Sequence, residues 1–157
     1  RLPELAKPVA HYVPIIVYGI GKTFARTAGQ IPLVDGRLKY KGKVGQEVTM
    51  EDAIPAARIC ALNTLAALKS GIGTLDNVLQ VIHVEVMVNS APNFTDQSKV
   101  ADGVSDLLFQ VFGERGKHTR IAVGNNELPL GAAVEVTLTV QLVGPIGRIV
   151  RSRTSPI

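Results

Sequence analysis

A chain of 157 residues that is 46% hydrophobic can bury one sizeable core, and with 4% aromatics and no Trp that core has to be aliphatic. The formal charge of +4 is not a nucleic-acid footprint: Arg148, Arg151 and Arg153 lie in the last ten residues, and without them 14 basic side chains face 13 acidic ones. No basic stripe with interleaved aromatics is present, no apolar run approaches the roughly 18–20 residues of a membrane helix, and a single cysteine excludes an internal disulfide framework.

In chain order, the start RLPELAKPVAHYVP lacks the charged-then-apolar plan of a secretory signal. With one thiol suited to a reducing compartment, a cytoplasmic location is expected. Residues 12–18 and 23–28 are short and β-prone with Gly19 and Gly21 between them, which predicts a hairpin. Residues 30–48 are rich in turn chemistry (Pro32, Asp35-Gly36, Gly42, Gly45) and read as a long surface connection. Within it, Arg37, Lys39, Lys41 and Lys43 alternate with uncharged residues, as on the solvated side of an extended segment.

Thr49 then has the place of a helix N-cap, with Asp52 three residues on, and the helix is predicted to stop at Gly71. Its apolar stripe is broad enough to need a sheet and more than one neighbour, and Cys60 falls within it as a small hydrophobe. Residues 78–88 alternate as a half-buried strand, a second helix spans about 95–112 up to Gly113, and strands follow at 119–124 and 132–142. The order β-β-α-β-α-β-β predicts an α+β fold: one mixed sheet with two helices on one face. The other face, carrying apolar residues, would be covered by oligomerisation. Residues 1–142 form the predicted domain and 143–157 a loosely held extension.

The chemistry-bearing pair stands on the last two strands. Arg120 alternates with Ile121 and Val123, and Glu135 lies on the polar face Glu135, Thr137, Thr139, Gln141. Arginine can hold a carboxylate with parallel N–H donors, and a glutamate can deprotonate a water. The same two residues could equally form a structural ion pair. His118, two residues before Arg120, is placed to tune it. No HxH, HExxH or CxxC spacing, no GxSxG elbow and no phosphate-binding glycine loop occurs, so neither a metal nor a nucleotide cofactor is expected.

Five segments in order carry a resemblance: AGQIPLVDG (28–36), EDAIPAARICALNTLAAL (51–68), LDNVLQVIHVEVMVNSAPNF (75–94), DGVSDLLFQVFGERGKHTR (102–120) and LPLGAAVEV (128–136). Across roughly residues 10–142 the chain resembles the Rid (YjgF-like) family of reactive-intermediate deaminases, also called L-PSP endoribonucleases or translation inhibitors. The match is closest to its longer bacterial branch with a Tyr-Val-Pro segment, here Tyr12-Val13-Pro14. The resemblance implies a chorismate-mutase-like fold, a homotrimer and active sites between subunits. It also implies hydrolysis of enamine/imine products such as 2-aminoacrylate to 2-keto acids and ammonia, with no cofactor.

By resemblance, Arg120 holds the substrate carboxylate, Glu135 positions the water, Tyr12 stands at the cleft mouth and Gly29 turns its backbone to the ligand. Asp102 falls near a family asparagine. Ala122 replaces a frequent cysteine and Ala28 a frequent serine, each removing a polar group. Two other readings remain: a carboxylate-binding trimer without turnover, and a ribonuclease. The near-neutral body opposes the ribonuclease, which would need a basic track.

Overall fold

The computed structural model describes residues 1–5 and 12–144. Its elements are β1 (Ile15–Tyr18), β2 (Phe24–Thr27), β3 (Leu33–Val34), β4 (Arg37–Leu38), α1 (Met50–Ile72), β5 (Val78–Asn89), α2 (Gln97–Phe112), β6 (Thr119–Asn125) and β7 (Val134–Leu142). Five strands form one sheet in the order β1-β2-β7-β5-β6. β5 and β6 are parallel because α2 carries the chain back across the sheet between them; the other pairings are antiparallel. This is the expected α+β fold, one mixed sheet beneath two helices. The extension expected at 143–157, with its three arginines, lies outside the described residues from 145 onward, as does His11.

Alternation decides which sheet face is dry. Val84, Val86 and Val88 of β5 and Val134, Val136, Leu138 and Val140 of β7 are buried beneath the helices. Their alternates His83, Glu85, Met87, Thr137 and Thr139 share the other face. The middle of that face is more polar than expected: Arg26 pairs with Glu85 at 2.9 Å, and the Thr137 hydroxyl donates to the same carboxylate at 2.9 Å. The exposed apolar residues lie at its flanks, Ile16 and Tyr18 on β1 and Ile121 and Val123 on β6.

Small side chains let α1 lie close to the sheet: Ala53, Ala56, Ala57, Cys60 and Ala61 are fully buried along it. The Thr49 hydroxyl accepts from the Asp52 main-chain N–H at 3.2 Å, the predicted cap. The helix does not stop at Gly71. It continues to Ile72 and ends at Gly73, whose φ of 82° suits glycine. Gly71 is instead a contact residue, since a Cβ there would run into the Ile15 side chain.

The segment 30–48 departs furthest from expectation. Asp35 and Gly36, both at positive φ, close the two-residue hairpin β3–β4. Asn63 of α1 donates to the carbonyls of Ile31 and Leu33, at 2.9 and 3.1 Å, and ties the segment down. Val44 is fully buried and bridges to Val48 and Ser90. Arg37, Lys39 and Lys41 are solvated as predicted, but Lys43 is not. Its ammonium donates to Asn89 Oδ1 at 2.9 Å and to the Asn126 carbonyl, with Glu127 at 3.3 Å, so it fastens the end of β6.

Candidate active site in two halves

Arg120 pairs laterally with Val84 of β5, which puts it on the helix side of the edge strand β6. There α2 fixes the guanidinium at three points. Nη1 donates to Asp102 Oδ1 at 2.8 Å and to Ser105 Oγ at 3.0 Å, and Nη2 donates to the Ser98 carbonyl at 3.0 Å. Among the described residues nothing accepts from the Nε–H or from the second Nη2–H, and guanidinium N–H donors are the groups that grip a carboxylate. Asp102, which by resemblance falls near a family asparagine, holds the arginine. Ala122, two residues along the same face, packs on the core and offers a ligand only main-chain groups. A cavity of about 320 Å³ opens here, lined by Ser105, Asp106, Phe109, Lys117, His118 and Arg120.

Glu135 lies opposite Met87 on the other face of the sheet. Burial raises its carboxyl above the usual range, and no hydrogen-bond donor serves it among the described residues. Gly29 presses against it: an added Cβ would stand 2.8 Å from Glu135 Cδ and closer still to Oε1. The approach is fixed by Gln30, which exchanges two main-chain hydrogen bonds with Val136 at 2.9 and 3.0 Å. The Ala28 N–H reaches the Pro14 carbonyl at 2.8 Å and extends the β1–β2 ladder, drawing the chain at Tyr12 toward Gly29 and Gln30. Tyr12 itself is half exposed, at 51%. A larger cavity, about 400 Å³, lies between the N-terminal segment, the β3–β4 hairpin and α1, and adjoins this half through Gln30.

The residues named from sequence thus separate into two groups. Gly29 and Glu135 meet on one side, with the chain after Tyr12 laddered to Ala28 at Pro14; Arg120, Asp102 and Ala122 lie on the other. With β5 between their strands and their side chains on opposite faces, Arg120 and Glu135 form no ion pair, and within one chain they do not share a pocket. Arginine's carboxylate partner is Asp102. Sequence reading missed Ser98 and Ser105, yet a signal was present: Ser98, Asp102 and Ser105 stand at i, i+4, i+7, one polar stripe on an otherwise apolar helix side. Of the histidines, His83 meets Thr119 Oγ1 at 2.8 Å and His118 meets Ser105 Oγ at 3.0 Å, beside Arg120 as expected. Cys60 is fully buried against the Val134 carbonyl at 3.4 Å, and burial pushes its thiol pKa up, which removes it as a nucleophile.

One mixed sheet beneath two helices is the fold that the resemblance implies. A family model described as "YjgF/chorismate mutase-like, putative endoribonuclease" matches residues 1–142, and the chain belongs to that family. It is 42% identical over 143 residues to protein TCP17 of Trypanosoma cruzi, covering 90% of this chain and 88% of that one. Among solved structures it is similar to Atu1372 of Agrobacterium tumefaciens, described as of unknown function: 38% identity, 86% and 85% of the two chains, TM-score 0.81. It is also similar to a Shewanella oneidensis protein described as a "putative endoribonuclease": 34% identity, 90% and 92% coverage, TM-score 0.85. Among the described residues no helix is long and apolar enough to cross a membrane.

Proposed function

We propose that copies of the chain assemble, as a homotrimer, so that the Arg120 half of one meets the Glu135 half of the next. The seam then hydrolyses small enamine/imine acids of the 2-aminoacrylate type to 2-keto acids and ammonia. The observation that carries this reading is the division itself. One half is a guanidinium seated by three bonds with two N–H donors unclaimed among the described residues; the other is a desolvated carboxylate with no donor among them. Each half supplies what the other lacks.

The chemistry is simple. An enamine acid tautomerises to the imine, whose protonated form is already electrophilic. Arg120 holds the carboxylate and so fixes the imine carbon. Glu135 takes a proton from the water whose oxygen bonds to that carbon and passes it to the amine; as ammonia leaves, the carboxylate accepts the remaining hydroxyl proton and the carbonyl forms. A carboxylate whose proton affinity is raised by burial is the better base for this step. No step calls for a metal or an organic cofactor.

The test uses an imine generated in place by a PLP enzyme, with keto acid followed at catalytic amounts of this protein. Arg120→Ala and Glu135→Gln should each lower turnover about 10²-fold or more. Co-expressed, the two variants should recover activity, because a seam drawing Arg120 from one chain and Glu135 from the other is intact. Mixed assemblies that stay inactive would remove the composite site, and an Arg120→Ala protein as fast as the parent would remove the clamp. RNA cleavage lost with Arg120 would favour the ribonuclease instead. Against that outcome, Arg26, Lys43, Lys99, Lys117 and Arg120 are each paired with a carboxylate rather than free for phosphate.

A further inference from the structure

Ser105 behaves unlike the two hydroxyls of α1. Thr64 and Ser70 turn back onto the carbonyls of Ala61 and Ala67, at 2.7 and 2.6 Å, as hydroxyls in helices commonly do. Ser105 reaches outward instead. Its Oγ accepts from Arg120 Nη1 at 3.0 Å and stands 3.0 Å from His118 Nε2. The other ring nitrogen, His118 Nδ1, is 2.6 Å from the Gly116 carbonyl, an atom that can only accept. Nδ1 therefore carries a hydrogen, and in the neutral ring Nε2 is the acceptor of the Ser105 hydroxyl hydrogen.

We propose that Ser105 and His118 are positioning residues for the Arg120 clamp, through a one-way chain of hydrogen bonds from guanidinium to hydroxyl to imidazole to main chain that seats the arginine only while the imidazole is neutral. The inference rests on the reading of Arg120 as the carboxylate clamp. Donating to Nε2 leaves the Ser105 lone pairs turned to the guanidinium, and each bond polarises the next. A protonated ring reverses the middle link, between Ser105 and Nε2. Nε2 then donates, two cationic donors converge on one oxygen, and the guanidinium is repelled from its seat on α2.

The surroundings favour the neutral ring. Burial lowers the His118 pKa first, the Gly116 carbonyl opposes this, and the charges of Arg120 and His83 lower it further. The charges felt by the ring are those of Arg120 on β6 and His83 on β5, and Asp106 of α2 and Lys117 line the same cavity. Lys117 is taken up by Glu114 at 2.8 Å and Arg120 by Asp102 at 2.8 Å, and Ser105 is the hydrogen-bonded link between His118 and the guanidinium.

Pyruvate, ionised throughout, is the probe: its Kd is measured by calorimetry from pH 8 down to pH 5 alongside kcat and KM for the imine. In the parent, Kd and KM should rise as the pH falls through the His118 pKa, by roughly tenfold, the weight of one charge-assisted hydrogen bond, with kcat changed less. His118→Gln, which keeps an acceptor oxygen but cannot titrate, should bind as the parent does at pH 8 and lose the pH dependence. Ser105→Ala should bind weakly at every pH, and Ser105→Thr should restore binding. Nitrogen shifts of the ring should report the Nδ1–H tautomer; the other tautomer would overturn the chain. Affinity that increases on acidification would also overturn it, because His118 would then act as a second cation. If Arg120→Ala leaves pyruvate binding untouched, the clamp reading has failed. If it abolishes binding while the Ser105 and His118 variants match the parent in Kd and pH profile, the clamp stands and the chain of bonds does not exist.

Discussion

Glu135 is a residue whose position costs stability. Burial raises its pKa in the folded chain, so the native state binds its proton more tightly than the unfolded state does. Stability from this group is fully present below the ordinary carboxylate pKa and is lost as pH rises through the raised value. At neutral pH the whole penalty is in force. Glu135→Gln should therefore raise the Tm at pH 7–8, with the gain vanishing below pH 4, as read by thermal melts across that range. A variant that melts lower than the parent at pH 8 would mean that the carboxylate is compensated by a partner. The face of each candidate was legible in the sequence, because alternation along one strand is local. The relation of Arg120 to Glu135 was not. It depends on β5 standing between their strands, parallel to one and antiparallel to the other, and no local pattern encodes a register over such distances.

The elements that carry the site are held by backbone contacts that glycine permits. Gly103 of α2 is fully within the helix, where glycine is ordinarily a liability, yet a Cβ there would strike the Ile54 carbonyl of α1. Gly103→Ala should lose about 1–3 kcal/mol in denaturant unfolding, since main chain rather than a mobile side chain has to give way. An unchanged midpoint would show that the helices separate at little cost. Because Asp102 and Ser105 flank Gly103, the spacing of α1 and α2 also sets where the arginine seat lies. The two long helices and the strands β5 to β7 were legible because their periodicity runs over many residues. The hairpin β3–β4 was not, although its Asp35-Gly36 turn signal is plain. Strands of two residues carry no alternation, and what fastens them, Asn63, is distant in sequence.

At the scale of the whole molecule, the open sheet face is where assembly is expected. Ile121 and Val123, 49% and 39% exposed, share that face with Met87 and Glu135. Ile121→Lys should yield a monomer by light scattering and, since a lone chain keeps Arg120 and Glu135 apart, should lose imine hydrolysis as well. A monomer that retains full turnover would mean that a single chain suffices. The sheet order has one more consequence. β7 lies between β2 and β5, so Phe24 finds its partner Gln141 only when nearly all the described chain has been made. Until then a nascent polypeptide holds two strand edges with nothing to zip against, the situation that invites wrong pairing and chaperone capture. β7, made after both of its neighbours, is thus the keystone: the sheet closes late and all together.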